Sequence, residues 1–168
     1  MVVGVCRNSF TVCTAISAAS SFGKQNTPVE MQQKARLEKT IRAASEAEKP
    51  ALLEQRRELA VREDPQNDRN CHYLGREYMF RGEWQKAIET LARHLTLPSA
   101  VWADERCASM RYIARCLRAL EQDDSAERWL HRAVAEAPHL REPYMDYAQL
   151  LYAQERWYGL VDVLRAAL

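Results

Sequence analysis

The feature that most constrains this chain is a recurring pattern of small and large residues in its second half. Leu74-Gly75-x-x-Tyr78, followed by Gly82-x-Trp84, Ala87 and Leu91, returns as Ile113-Ala114-x-x-Leu117 with Ala126, Leu130, Ala133 and Pro138. It returns again as Tyr147-Ala148-x-x-Leu151 with Trp157, Leu160, Leu164 and Ala167. The copies are offset by 39 residues (Leu74 to Ile113) and then 34 (Ile113 to Tyr147), which places about five extra residues in a loop around Pro98 to Asp104. Self-similarity at this period marks stacked helix–turn–helix units, none of which can bury its apolar face alone. Gly75, Ala114 and Ala148 share one register position and Ala87, Ala126 and Leu160 another. Small residues there let the two helices of a unit approach, and the large residues around them fill the groove.

Composition agrees with helices. Five Gly and six Pro in 168 residues, with 28% charged side chains, do not describe a loop-rich β protein. Ahead of the repeats, Thr27-Pro28 reads as a helix start, with Thr27 as N-cap and Glu30 near the positive end of the dipole. Met31, Ala35, Leu37, Ile41 and Ala44 then recur at helical spacing. A second helix begins near Pro50, carries Leu52, Leu53, Leu59, Ala60 and Val61, and stops at Asp64-Pro65, where the proline ring disfavours a helical Asp64. The expected organisation is a leader over 1–27, a helical hairpin over 28–66 acting as a degenerate or capping repeat, and three repeats over 67–101, 102–140 and 141–168.

Residues 1–27 carry only Arg7 and Lys24 as charges, and Arg7 and Asn8 interrupt the apolar stretch that an export signal requires. A poorly ordered leader is expected, with no membrane span and a cytoplasmic location. The five cysteines (6, 13, 71, 107, 116) form no CxxC pair and are odd in number, which fits buried thiols better than a disulfide framework or a zinc site. The 24 basic and 23 acidic side chains nearly cancel, which argues against nucleic acid as a partner. Five of the 24 are Lys, so 19 are Arg.

The pattern over Asn67 to Leu168 resembles the tetratricopeptide repeat, and the resemblance implies an all-α, right-handed α-solenoid. Pro65, Pro98 and Pro138 lie at or beside the family's helix-closing proline position. Two residues depart from the family pattern. His94 stands where a small residue is usual, and Leu160 where Ala is usual. The strings His72-Tyr73-Leu74-Gly75-Arg76-Glu77-Tyr78, Glu105 through Cys116, and Ala137-Pro138-His139-Leu140-Arg141-Glu142-Pro143-Tyr144 also look like the repeat region attached to bacterial and phage family 2 glycosyltransferases. That likeness covers about the last hundred residues; it brings no catalytic residue, because the family's Asp-x-Asp metal signature has no instance here. It implies an accessory or truncated module that positions such an enzyme or its acceptor.

In the tetratricopeptide register, the first helix of each repeat lines the concave face. Arg69, His72, Tyr73 and Arg76, then Arg111, Tyr112, Arg115 and Arg118, then Asp146 and Gln149, point into the groove on that reading. Guanidinium groups grip carboxylate or phosphate bidentately and the tyrosines add flat apolar surface, so one reading is a groove for an acidic protein or peptide. The other is a solvated face on which Arg111 and Arg115 pair with Glu105, Asp146 or Glu142. The groove lacks the Lys and Asn of chaperone-type peptide clamps. Trp102, on the inserted loop, is either a partner or sugar contact or a residue folded over the first repeat. Trp84, Trp129 and Trp157 are expected to pack inside.

The four His (72, 94, 131, 139) and five scattered Gly make no catalytic or phosphate-binding constellation, so a non-enzymatic scaffold without cofactor or metal is expected. Val161, Val163, Leu164, Ala166, Ala167 and Leu168 form an apolar C-terminal face that a second copy is expected to cover if the chain self-associates.

Overall fold

A computed structural model describes residues 27–168 of the chain. The expectations for the leader, with Cys6 and Cys13, lie outside those residues. Eight α-helices and no strand make up the described part: α1 (Pro28–Ala43), α2 (Lys49–Glu63), α3 (Asp68–Phe80), α4 (Trp84–Thr96), α5 (Ala103–Ala119), α6 (Asp123–Glu136), α7 (Glu142–Ala153) and α8 (Trp157–Ala166). Thr27 caps α1 as its sequence implies, in a reciprocal capping box with Glu30. No helix among the described residues is long and apolar enough to cross a membrane.

Each helix packs on the next. In addition α3 touches α5 and α5 touches α7, whereas α4 does not touch α6, nor α6 α8. The stack therefore closes up on the α3–α5–α7 side and curves toward it. Leu91, Ile113, Leu130 and Leu150, all 0–1% exposed, form the central core with Ala114 and Ala126. The small residue at the register position of Gly75 is a steric requirement there. A Cβ added at Gly75 would lie 2.6 Å from Leu91 Cγ and 3.3 Å from the Leu91 backbone nitrogen.

The turns repeat as faithfully as the core. Glu83 N–H bonds to Tyr78 O at 2.9 Å, Gln122 N–H to Leu117 O at 2.9 Å, and Arg156 N–H to Leu151 O at 2.9 Å. Each is the long bond of a Schellman motif, and each encloses one left-handed residue: Gly82 (φ 78°), Glu121 (φ 59°) and Glu155 (φ 57°).

The extra residues between the first two copies are not chiefly a loop. The linkers 97–102 and 137–141 are nearly equal, but α5 has 17 residues against 13 in α3 and 12 in α7. The insertion is mostly an added first turn of α5. Asp104 and Glu105 suit the positive end of that helix. Arg106 ties the turn back, donating from Nε to Glu136 Oε1 at 2.6 Å and from Nη1 to the carbonyls of Leu95 and Ala100 at 3.2 and 3.3 Å.

The first hairpin is held differently. No residue of α1 is buried and Leu59 alone is buried in α2. Polar ties fasten α2 to α3 instead: Tyr78 donates to Glu58 Oε1 at 2.7 Å, Asn70 Nδ2 to Ala60 O at 3.3 Å, and the pairs Arg57–Glu77 and Arg81–Glu54 close the seam. Burial, and then the bond to Glu58, pushes the Tyr78 hydroxyl well above its ordinary pKa. Cys71, Cys107 and Cys116 are wholly buried free thiols; desolvation pushes the pKa values of Cys107 and Cys116 up to about 11.

Candidate functional site

The curved face is built from α3, α5 and α7, and the structure divides the residues expected along it into three groups. Arg111 and Arg115 form the first. Arg111 Nε lies 2.6 Å from Asp146 Oδ2, and Arg115 Nη2 lies 2.8 Å from Asp146 Oδ1. Asp146 is buried, so its carboxylate joins α5 to α7 rather than standing open at the end of the groove. Both oxygens are occupied, so the two arginines share one buried carboxylate. Tyr112 is half-buried against the core, with the Arg115 guanidinium 6.0 Å from its ring centroid.

His72 belongs to a second group and departs from its expected place. Only 6% exposed, it is turned away from the groove into the α3–α4–α5 junction. Its Nδ1 lies 2.8 Å from Ser109 Oγ, and Ser109 Oγ lies 2.9 Å from His94 Nδ1. His94 and Ser109 are wholly buried, so no substrate reaches that hydroxyl. Desolvation, reinforced by Arg76, lowers the His72 pKa to about 4. Desolvation, with His72 next in weight, also lowers that of His94. Two neutral rings sharing one hydroxyl hold opposite tautomers, since Ser109 has a single proton to give. This chain of three was not seen from the sequence. Its visible signal was the departure at His94, a polar ring in a slot built for a small side chain.

The third group faces solvent. Tyr73 is 40% exposed and carries the Arg76 guanidinium 5.2 Å from its ring centroid. Arg76 has no carboxylate partner among the described residues, and its Nε is buried without a hydrogen bond. With Arg56, Arg57, Ala60 and Asn70, these two side chains line a cavity of about 300 Å³ between α2 and α3. Arg57 is held by Glu77, while Arg56 is exposed and has no ion pair among the described residues. Arg56 and Arg76, with Arg57 already paired to Glu77, lie beside one aromatic face and make a positive, partly desolvated recess, where a carboxylate or phosphate gains charge-assisted bonds. Arg56 and Arg57 come from α2, outside the helices that the repeat register singles out, so register reasoning missed them.

Of the other expected site residues, Arg69 is exposed with its Nε 3.7 Å from Glu105 Oε1, Arg118 is half-exposed, and Gln149 is exposed. Trp102 is 62% exposed at the N-cap of α5 and does not fold over the first repeat. Trp157, expected inside, is 51% exposed with its ring edge-on to Tyr152, because no further helix packs on α8 among the described residues. Trp84 and Trp129 pack against the core as expected.

No protein-family model matches the chain, and no curated protein matches it. Solved structures do. MamA superposes with a TM-score of 0.64 at 14% identity over 83% of this chain and 78% of its own. The nearly identical TPR-like repeats of a putative kinesin light chain from Podosopora anserina give a TM-score of 0.61 at 19% identity over 86% and 77%. The fold is that of the tetratricopeptide-type solenoids. PilF of Pseudomonas aeruginosa, at a TM-score of 0.64 and 12% identity, is covered over 59% of its chain by 82% of this one. At these identities the tetratricopeptide-type likeness is one of fold, and none of these matches links the chain to a glycosyltransferase.

Proposed function

We propose that the chain is a non-catalytic interaction scaffold that takes an acidic segment of a protein partner on its concave face, with the α2–α3 recess as the anchor. The observation that carries this is Arg76. It is seated on Tyr73 beside Arg56 and Arg57, with a buried Nε that no acceptor among the described residues satisfies. A guanidinium already oriented by an aromatic ring loses little freedom when a carboxylate docks. Arg69 and Arg118 extend the positive wall along α3 and α5, with Tyr112 and Gln149 as flanking contacts. Arg111 and Arg115 contribute less, because both are bonded to Asp146, whose carboxylate cancels one of their two charges.

The test is fluorescence anisotropy with a labelled poly-glutamate peptide. Arg56→Glu with Arg76→Glu should abolish binding, while Arg115→Glu should weaken it only a fewfold. Equal losses in the two variants would refute the α2–α3 anchor.

A second reading, an accessory role beside a family 2 glycosyltransferase, is favoured by the exposed Trp102, since a free indole face suits a sugar ring. Quenching of tryptophan fluorescence by oligosaccharide, lost in Trp102→Ala, tests it; no quenching removes it. The exposed α8 face, with Trp157, Tyr158, Val161 and Leu164, is proposed as the contact for a second copy. Sedimentation across a concentration series checks this, and a constant monomer excludes it.

A further inference from the structure

The added turn of α5 brings Glu105 to a place that no other repeat furnishes. There, one oxygen each of Asp68 and Glu105 and one ring nitrogen of His94 all lie within 4.8 Å of one another. We propose that Asp68, His94 and Glu105 bind a divalent transition-metal ion of the zinc class, which clasps α3, α4 and α5 together.

Two observations beyond the clustering point to an ion. His94 is 0% exposed and its Nε2 has no hydrogen-bond partner among the described residues, although its Nδ1 is committed to Ser109. Glu105 Oε2 is likewise buried without a partner among the described residues, while its Oε1 faces Arg69. Two buried, unpartnered donor atoms, one an imidazole nitrogen and one a carboxylate oxygen, beside the second carboxylate of Asp68 are costly unless something satisfies them together. The charges fit as well: two carboxylates and a neutral imidazole sum to −2, which a divalent ion cancels. The nearby cations do not take its place. Arg69 Nε stands 3.7 Å from the other oxygen of Glu105, and Arg106 is committed to Glu136 and two carbonyls.

Geometry and chemistry agree on the class. Metal–ligand bonds of about 2 Å hold neighbouring donors about 3–4 Å apart, within reach of small side-chain rotations here. One imidazole and two carboxylates suit zinc, cobalt(II) or iron(II) better than the larger, all-oxygen calcium. Ser109 and His72 supply the outer shell. With metal on His94 Nε2, His94 donates from Nδ1–H to Ser109 Oγ, and Ser109 donates to His72 Nδ1. Ser109 is thus a positioning residue, fixing the tautomer that exposes the Nε2 lone pair.

The experiment uses the full chain, stripped with chelator and titrated with cobalt(II) and then zinc. The expected result is one ion per chain, d–d bands without a thiolate-to-cobalt charge-transfer band, and a higher melting temperature in the bound form. Asp68→Asn and Glu105→Gln should each weaken affinity at least about tenfold, and Ser109→Ala about tenfold. Folding of each variant is checked by circular dichroism. Nitrogen-15 spectra of the zinc form should show His94 protonated at Nδ1 and His72 at Nε2. Absence of saturable binding, affinity unchanged in Asp68→Asn and Glu105→Gln, or a thiolate band showing that cysteines hold the ion would each overturn the assignment.

Discussion

Glu121 and Glu155 occupy the left-handed position that Gly82 fills in the first repeat, and replacing them with glycine should stabilise the fold. Their φ angles are 59° and 57°, and both side chains are exposed with no hydrogen bond or ion pair among the described residues. Nothing but conformation is therefore exchanged. A left-handed L-residue costs about 1–2 kcal/mol relative to its ordinary conformation. Glycine returns about 0.5–1 kcal/mol of that through its larger freedom in the unfolded chain. The net gain is about 0.5–1 kcal/mol for each of Glu121→Gly and Glu155→Gly, or about 2 °C each in melting temperature for a chain of this size. The two sites lie in different turns, so the gains should add. The reverse change, Gly82→Ala, should destabilise by about 1 kcal/mol. Urea and thermal denaturation followed by circular dichroism reads all three. A neutral or destabilising Glu121→Gly with an unchanged denaturant slope would refute the claim that the three Schellman turns are conformationally equivalent.

Gly75→Ala forces its new methyl to 2.6 Å from Leu91 Cγ and should cost about 1–3 kcal/mol in the same denaturation assay. Asp146→Asn should destabilise the α5–α7 contact and at the same time raise affinity for the poly-glutamate probe, because it frees Arg111 and Arg115; unchanged anisotropy would show that these arginines do not face the ligand. Glu127 has its pKa lowered chiefly by the bond from Arg156, so its stabilisation is present above its ordinary value of 4.5 and is lost as the pH falls through its lower folded value. That acid loss, measured by thermal melts across pH, should shrink in Arg156→Ala. Cys71, Cys107 and Cys116 should stay silent to a thiol reagent in the native protein and react on denaturation, since burial excludes both reagent and thiolate.

How far the sequence announces this structure depends on the distance over which each feature is encoded. The Thr27 cap, the stop at Asp64-Pro65 and the register of Gly75, Ala114 and Ala148 are local or periodic, and each appears where the residues place it. Period counting locates the inserted residues without saying whether they coil, so the expected loop is in fact mostly helix. Asp104 and Glu105, acids that suit a helix start, are what make it a helical turn. The site is less legible. Register puts His72 on the concave wall, but its ring is buried against Ser109, 37 positions away, where α3 packs on α5. Arg111 and Arg115 carry the same register signal as Arg76, and only their shared bonds to the buried Asp146 distinguish paired guanidiniums from one without a carboxylate among the described residues. Asp68, His94 and Glu105 come from three helices with no motif spacing, so their meeting is a property of the packing alone.

The recess between α2 and α3 is the proposed anchor for an acidic partner. The most direct test is a nitrogen-15 NMR titration of the labelled chain with an acidic peptide at physiological salt. Saturable shifts should concentrate on Arg56, Arg57, Asn70, Tyr73 and Arg76, including the Arg76 side-chain Nε–H, with smaller shifts along α5. Shifts confined to α8, or scattered over exposed arginines without saturation, would contradict it.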